Sequence, residues 1–124
     1  MDDYTGTLIT ATRATAGTAL VVIVPSSIAE SDCDTLLDEV TRVIQDIEPR
    51  IAIDCGNLGH ISSAMLGTLL RIRNRADTNG GAMALFALPD EVKSVIQLTR
   101  LDAVFMIADA WDDALARLAR SADV

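Results

Sequence analysis

Short apolar runs of strand length alternate along this chain with stretches whose apolar residues recur at helical spacing, and that alternation constrains the fold more than any other feature. Strands that pair in parallel need a long crossover between them, and a helix is the usual one. Leu8–Ala14 carries β-branched Ile9, Thr10 and Thr12, Gly17 marks a turn, and Ala19–Val24 (ALVVIV) reads as a buried strand ended by Pro25. Ser31, with Asp34 shortly after it, is placed to cap a helix in which Leu36, Val40, Val43 and Ile47 share a face until Pro49. Arg50–Cys55 is a strand, and the loop Gly56-Asn57-Leu58-Gly59 leads to a second helix from about Ser62 to Asn79, stopped by Gly80-Gly81. Ala82–Leu88 is a further strand, and Pro89-Asp90 opens a helix with Val92, Val95, Ile96 and Thr99 on one face. A last strand lies near Val104–Ala108, and Asp109 caps a helix through about Arg120 with Leu115 and Leu118 turned inward. A hairpin-like pair followed by strict alternation predicts one α/β domain over residues 1–124, a mostly parallel sheet of about four to five strands with about four helices.

Composition then removes several classes of function. The chain has 124 residues, half of them apolar, which suits one compact core and excludes a disordered chain. A net charge of −8 and pI near 4.4 argue against nucleic acid or an anionic membrane, because both demand clustered Lys and Arg. Aromatic residues are 3%, too few for a platform that stacks single strands. No apolar run approaches the roughly 18 residues of a membrane span, and Met1-Asp2-Asp3 lacks the basic start of a secretory signal. Cys33 and Cys55 form no motif, and with His60 alone among histidines there is no zinc pattern. A cytoplasmic domain without metal or cofactor is the expectation.

Parallel sheets place functional loops at the carboxyl ends of their strands, which directs attention to Asp54–Ser63. Asp54, His60 and Ser63 have the residue types of a hydrolase triad. A nucleophile elbow needs glycines around its serine, however, and Ser62, Ala64 and Met65 stand there instead, so no catalysis is expected. Gly56, Gly59 and Gly67 reproduce neither a dinucleotide nor a Walker pattern. On a helical wheel Met65, Leu66, Leu69, Leu70, Ile72 and Ala76 form the inward stripe, Ser63, Gly67, Asn74 and Thr78 lie along its edge, and Arg71 and Arg75 point away. That small, polar edge suits contact with another protein; helix capping is the plainer role for Ser62 or Ser63. Trp111 on a small domain is a mild sign of an interface.

Residues 50 to 120 resemble the STAS domain of the anti-sigma factor antagonists. The family pattern has a strand ending in Asp, then Ile-Asp-Ser-Ser-Gly-Leu-Gly opening a helix, a Gly-Gly turn, a proline-led helix and Leu-Asp-x-x-Phe. Here stand Ile53-Asp54, Ile61-Ser62-Ser63-Ala64-Met65-Leu66-Gly67, Gly80-Gly81, Pro89-Asp90-Glu91-Val92 and Leu101-Asp102-Ala103-Val104-Phe105. The resemblance implies a non-enzymatic, protein-binding module of transcription regulation that works by partner switching. Its partner would be a kinase-type anti-sigma factor or related regulator that phosphorylates the matching serine, Ser63, with Ser62 as the second candidate. The chain departs from the pattern at Ser62, in place of Asp, at Met65, in place of Gly, and at Ala29, where an acid is expected after the second strand. The implied docking surface comprises Asp54, Ser62, Ser63, Met65 and Gly67, with Met65 partly exposed or altering the partner's approach. The alternatives are a scaffold domain that is never phosphorylated, favoured by those departures, and a sensor that binds a small ligand or nucleotide in the 54–63 loop.

Overall fold

The structure, a computed structural model, describes residues 3–14 and 17–122, with side chains as far as residue 119. Met1 and Asp2 of the acidic start lie outside them. The elements are β1 (Asp3–Thr5), β2 (Ile9–Arg13), β3 (Ala19–Ile23), α1 (Cys33–Asp46), β4 (Arg50–Asp54), α2 (Ser63–Thr78), β5 (Ala82–Phe86), α3 (Asp90–Leu98), β6 (Met106–Ala108) and α4 (Trp111–Ala122). Single 3-10 turns at Glu30–Asp32 and Leu101–Ala103 precede α1 and β6. The sheet runs β1-β2-β3-β4-β5-β6 in sequence order, antiparallel across the first pairs and parallel from β3 onward. The α/β class and mostly parallel pairing are therefore as the alternation predicts. The strand count is one higher than expected, because Asp3–Thr5 pairs with Thr10–Thr12 although it has no apolar residue but Tyr4 to signal it.

Both faces of the central strands are covered, by unequal layers. Helices α1, α2 and α3 bury Leu36, Val40, Met65, Leu69, Ile72, Val92 and Ile96 against Ile9, Val21, Ile51, Ile53 and Leu85. On the other face α4 sets Ala114 and Leu118 on Ala52, Ala84, Phe86 and Ala108. Alanines on that face let the last helix lie close to the sheet, which is why the centre of β4, Ile51 to Ile53, and the whole of β5 read as continuous apolar runs. Trp111 stacks obliquely on Phe86 at the margin of this layer, with ring centroids 5.7 Å apart. Beneath β3 the cover ends: its burial alternates, and Leu20 and Val22 are half-exposed, so Ala19–Val24 is not buried on both sides as its composition implies. Helix α4 packs on β4, β5 and β6 and leaves that flank open.

Glu39 holds the hairpin half of the sheet to the helical layer. It sits on the inward side of α1, 7% exposed, and its carboxylate accepts the backbone N–H groups of Thr7, Leu8 and Ile9 at 2.8, 2.9 and 3.3 Å. Gly6 makes the approach possible, since a Cβ there would stand 2.4 Å from Glu39 Oε1. Neither residue stands out in the sequence, although a carboxylate spaced with Leu36 and Val43 on one helical face is an anomaly that asks for a partner. Two other local expectations shift. Ser31 does not cap α1, which grows instead out of the preceding 3-10 turn, with Asp32 at its N-cap and no side-chain bond there. Asp109 stands two residues before α4, and its carboxylate faces Lys93 at 3.9 Å.

Glu39→Ala leaves three amide N–H groups without their acceptor. It is expected to cost about 3 kcal/mol, and to lower Tm by roughly 10 °C for a chain of this size. Urea unfolding followed by circular dichroism measures it; a loss below about 1 kcal/mol would show that the clamp is dispensable.

Candidate functional site

Helix α2 begins at the carboxyl end of β4, and its first turn is organised by a division of labour between two serines. Ser62 is the N-cap: its backbone is extended (φ −93°, ψ 166°), its Oγ accepts from Met65 N–H at 3.1 Å, and its carbonyl accepts from Leu66 N–H at 3.0 Å. Ser63 is the first helical residue, and its side chain is exposed. The capping role thus falls on Ser62 and leaves the Ser63 hydroxyl free. Asp54 closes β4, and its Oδ1 accepts from Gly56 N–H at 2.9 Å, an Asx turn that starts the loop. The loop is pinned down by buried Leu58, by Asn57 Nδ2 donating to the Ile23 carbonyl at 3.2 Å, and by Gly59 N–H donating to the Ser26 carbonyl at 2.7 Å.

A groove of about 430 Å³ runs between the start of α1 and the first turns of α2. Ser63, Ala64, Gly67, Thr68 and Arg71 form one wall, and Glu30, Cys33 and Asp34 form the other. Gly67 adds open space, since a Cβ there would meet nothing within 4 Å. The structure therefore brings Ser63 and Gly67 together on one accessible surface, with Ser62 immediately beside them. It does not bring in Asp54, whose carboxylate turns back on its own loop, outside the groove lining.

Met65 requires a correction. Expected on the inward stripe and, as a docking residue, either partly exposed or altering the partner's approach, it is 1% exposed and packs in the main core, so the partial exposure is not seen. Two positions beyond Ser63 the helix has turned by about 200°, which points the side chain at the sheet and away from any partner. Met65 shapes the site by anchoring the first turn of α2 from below. Ala29 is exposed just before the 3-10 turn, and the neighbouring Glu30 brings a carboxylate to the groove one residue later. Laid on Ile61–Gly67, the family pattern also puts Ala64 where its second serine belongs. Sequence reasoning missed Glu30, Asp34 and Arg71 as groove residues. The acids recur one helical turn apart at the start of α1, but only the packing of α1 on α2 sets them opposite Ser63. That packing is locked by Arg75, which donates to Thr41 Oγ1 at 3.1 Å instead of pointing away.

His60 is exposed, and no hydrogen bond joins it to Asp54 or Ser63, so the described residues hold no relay from an acid through a base to a nucleophile. Among the described residues no three His, Cys, Asp or Glu side chains are grouped to hold a metal, and no helix is long and apolar enough to cross a membrane. Cys33 and Cys55 are both free and buried.

The model of the STAS domain matches residues 10–114. The chain belongs to the STAS domain family. Solved STAS structures superpose over nearly all of it. A putative anti-sigma factor antagonist of Thermotoga maritima has a TM-score of 0.77 at 20% identity, covering 92% of this chain and 97% of its own. An anti-sigma factor antagonist of Mycobacterium paratuberculosis gives 0.77 at 21%, covering 90% of this chain and 92% of its own. SpoIIAA, a Bacillus cell fate determinant, gives 0.71 unphosphorylated and 0.63 phosphorylated, each at 16% identity, covering 90% and 88% of this chain and 96% and 97% of theirs. At these identities the likeness establishes a shared fold.

Cys55 supplies a test of how firmly the loop is closed. Burial, and then the neighbouring Asp54 carboxylate, push its thiol up from 9.0 to about 12. Between those values the unfolded chain gives up the thiol proton and the folded chain keeps it, so stability falls as pH rises. Wild type should lose roughly 1.4 kcal/mol more than Cys55→Ala between pH 8 and 10. Denaturant titration at both pH values checks this, and equal losses would mean that the thiol is open to solvent. In the native protein Cys55 should also resist alkylation at pH 8.

Proposed function

We propose that this STAS domain is a protein–protein interaction module of the partner-switching kind, docking through the α1–α2 groove and controlled by charge at Ser63. Its partner is a kinase-type anti-sigma factor or a related regulator, which makes it a cytoplasmic component of transcriptional signalling without catalytic turnover of its own. One observation carries the reading: Ser62 takes the cap, so Ser63 keeps an exposed, uncommitted hydroxyl at the mouth of a groove walled by small residues. A phosphate there would add about −1.5 to −2 charge beside Glu30 and Asp34. Arg71, about two turns along α2, is the one cation in the groove lining, so a close contact that buries the phosphate with both carboxylates leaves an excess of like charge and is costly, even though the first turn of a helix accommodates an anion in isolation. Solved relatives include SpoIIAA in both phosphorylation states and a Moorella thermoacetica RsbS carrying a serine-to-glutamate substitution, so charge at a serine is a state in which such domains have been captured.

A second reading is favoured by particular residues. Ser62, Ala29 and Ala64 stand where the family pattern has two acids and a second serine, which fits a scaffold that binds its partner constitutively.

The two readings separate on Ser63 variants titrated against the purified kinase-type anti-sigma factors encoded in the same genome. Ser63→Asp and Ser63→Glu should weaken binding at least tenfold, about 1.4 kcal/mol, and Ser63→Ala should bind like wild type. All three should keep the wild-type circular dichroism spectrum. Equal affinity of the acidic variants leaves the scaffold reading, and no binding by wild type to any such partner removes both.

A further inference from the structure

The far end of α2 carries a second surface, unrelated to the groove. Strand β6 is an outer strand of the sheet, and all of its side chains are apolar. Natural edges are usually guarded by lysine, proline or a bulge; beyond being short, β6 has none of these. Where the chain enters it, Val104 is 40% exposed. Val104, Met106 and Met83 line a cavity of about 180 Å³ that Arg73 and Asp77 wall on the helix side. Those two opposite charges lie one turn apart on α2, and neither side chain has a hydrogen-bond or ion-pair partner in its own chain among the described residues.

We infer that a second copy of this chain pairs along β6, antiparallel to the first, with Arg73 of each copy facing Asp77 of the other. The argument is charge complementarity under a two-fold axis. An unpaired Arg and Asp separated along one helix become self-complementary when the same helix is laid against itself in reverse, because each then meets its opposite once and the dimer gains two pairs. Elsewhere a net charge of −8 opposes self-association. At this edge charges balance, Arg73 with Asp77 on the helix and Arg100 with Asp102 about the turn that packs on β6, so repulsion between copies is least here. Pairing joins two sheets into one and closes Val104 and Met106 of both copies over the two cavities. Fourteen residues of helix, about 21 Å, separate Asp77 from Ser63, so both α1–α2 grooves stay open and the dimer offers two docking surfaces. The inference does not rest on the function proposed for those grooves.

Sedimentation velocity on the full chain from about 10 µM to 1 mM, the range proper to a small interface, tests it. Wild type should rise from the mass of one chain toward that of two. Arg73→Glu and Asp77→Arg should each weaken association at least tenfold. An equimolar mixture of these two variants should restore it, because both contacts between unlike copies then pair opposite charges. Val104→Lys should also dissociate the dimer, and circular dichroism confirms that each variant folds. A single-chain mass for wild type over the whole range overturns the proposal, as does a mixture that associates no better than its components.

Discussion

A buried carboxylate in the middle of one helix organises more of this molecule than any apolar contact does. Glu39 accepts the backbone N–H groups of Thr7 and Leu8, in the turn between the first two strands, and of Ile9, the first residue of β2. The charge is tolerated inside because every acceptor direction it uses is met by a donor, and the donors are tolerated because the charge is there. Through it the antiparallel half of the sheet, whose outer face is open under β3, is tied to α1. Helix α1 and the 3-10 turn before it in turn present Asp34 and Glu30 to the groove, and α1 holds α2 through Thr41 and Arg75. The α1–α2 groove is thus the last link of a chain that starts at a residue far from it.

At the site itself the arrangement follows from how helices begin. The first turn of α2 has backbone donors without intrahelical acceptors, and one side chain must answer them. Ser62 does so, which frees Ser63, and Met65 drives into the core beneath and fixes the turn from the other side. The same helix uses small residues on the edge beside α1, where Ala64 and Gly67 leave a groove, and large ones underneath. The turn is thus rigid below and leaves space above.

The turn geometry at the opposite end of the sheet is equally economical. Gly80 takes a positive φ of 83° to end α2, and Gly81 passes so close to the Pro49 carbonyl that a Cβ would stand 2.0 Å from its oxygen. The turns leading into β4 and β5 therefore interlock through a glycine, and those adjacent strands keep their register without a loop to absorb error.

Much of this was legible in the residues. Alternating strand and helix patterns were enough for the α/β class, because a parallel sheet imposes helical crossovers of that length and period. The Ile61–Gly67 pattern, Gly80-Gly81 and Pro89-Asp90 pointed to the family and to where α2 and α3 begin and end, since caps and breakers act through their immediate neighbours. Asp3–Thr5 escaped, because an edge strand held only by backbone pairing needs no pattern of its own. The partners of Glu39, the exposure of Leu20 and Val22, and the meeting of Glu30 and Asp34 with Ser63 were decided by tertiary structure alone. Each depends on which elements touch across long stretches of chain. Local propensity and periodicity report how a residue sits on its own element, whereas burial and pairing depend on what another element brings to it.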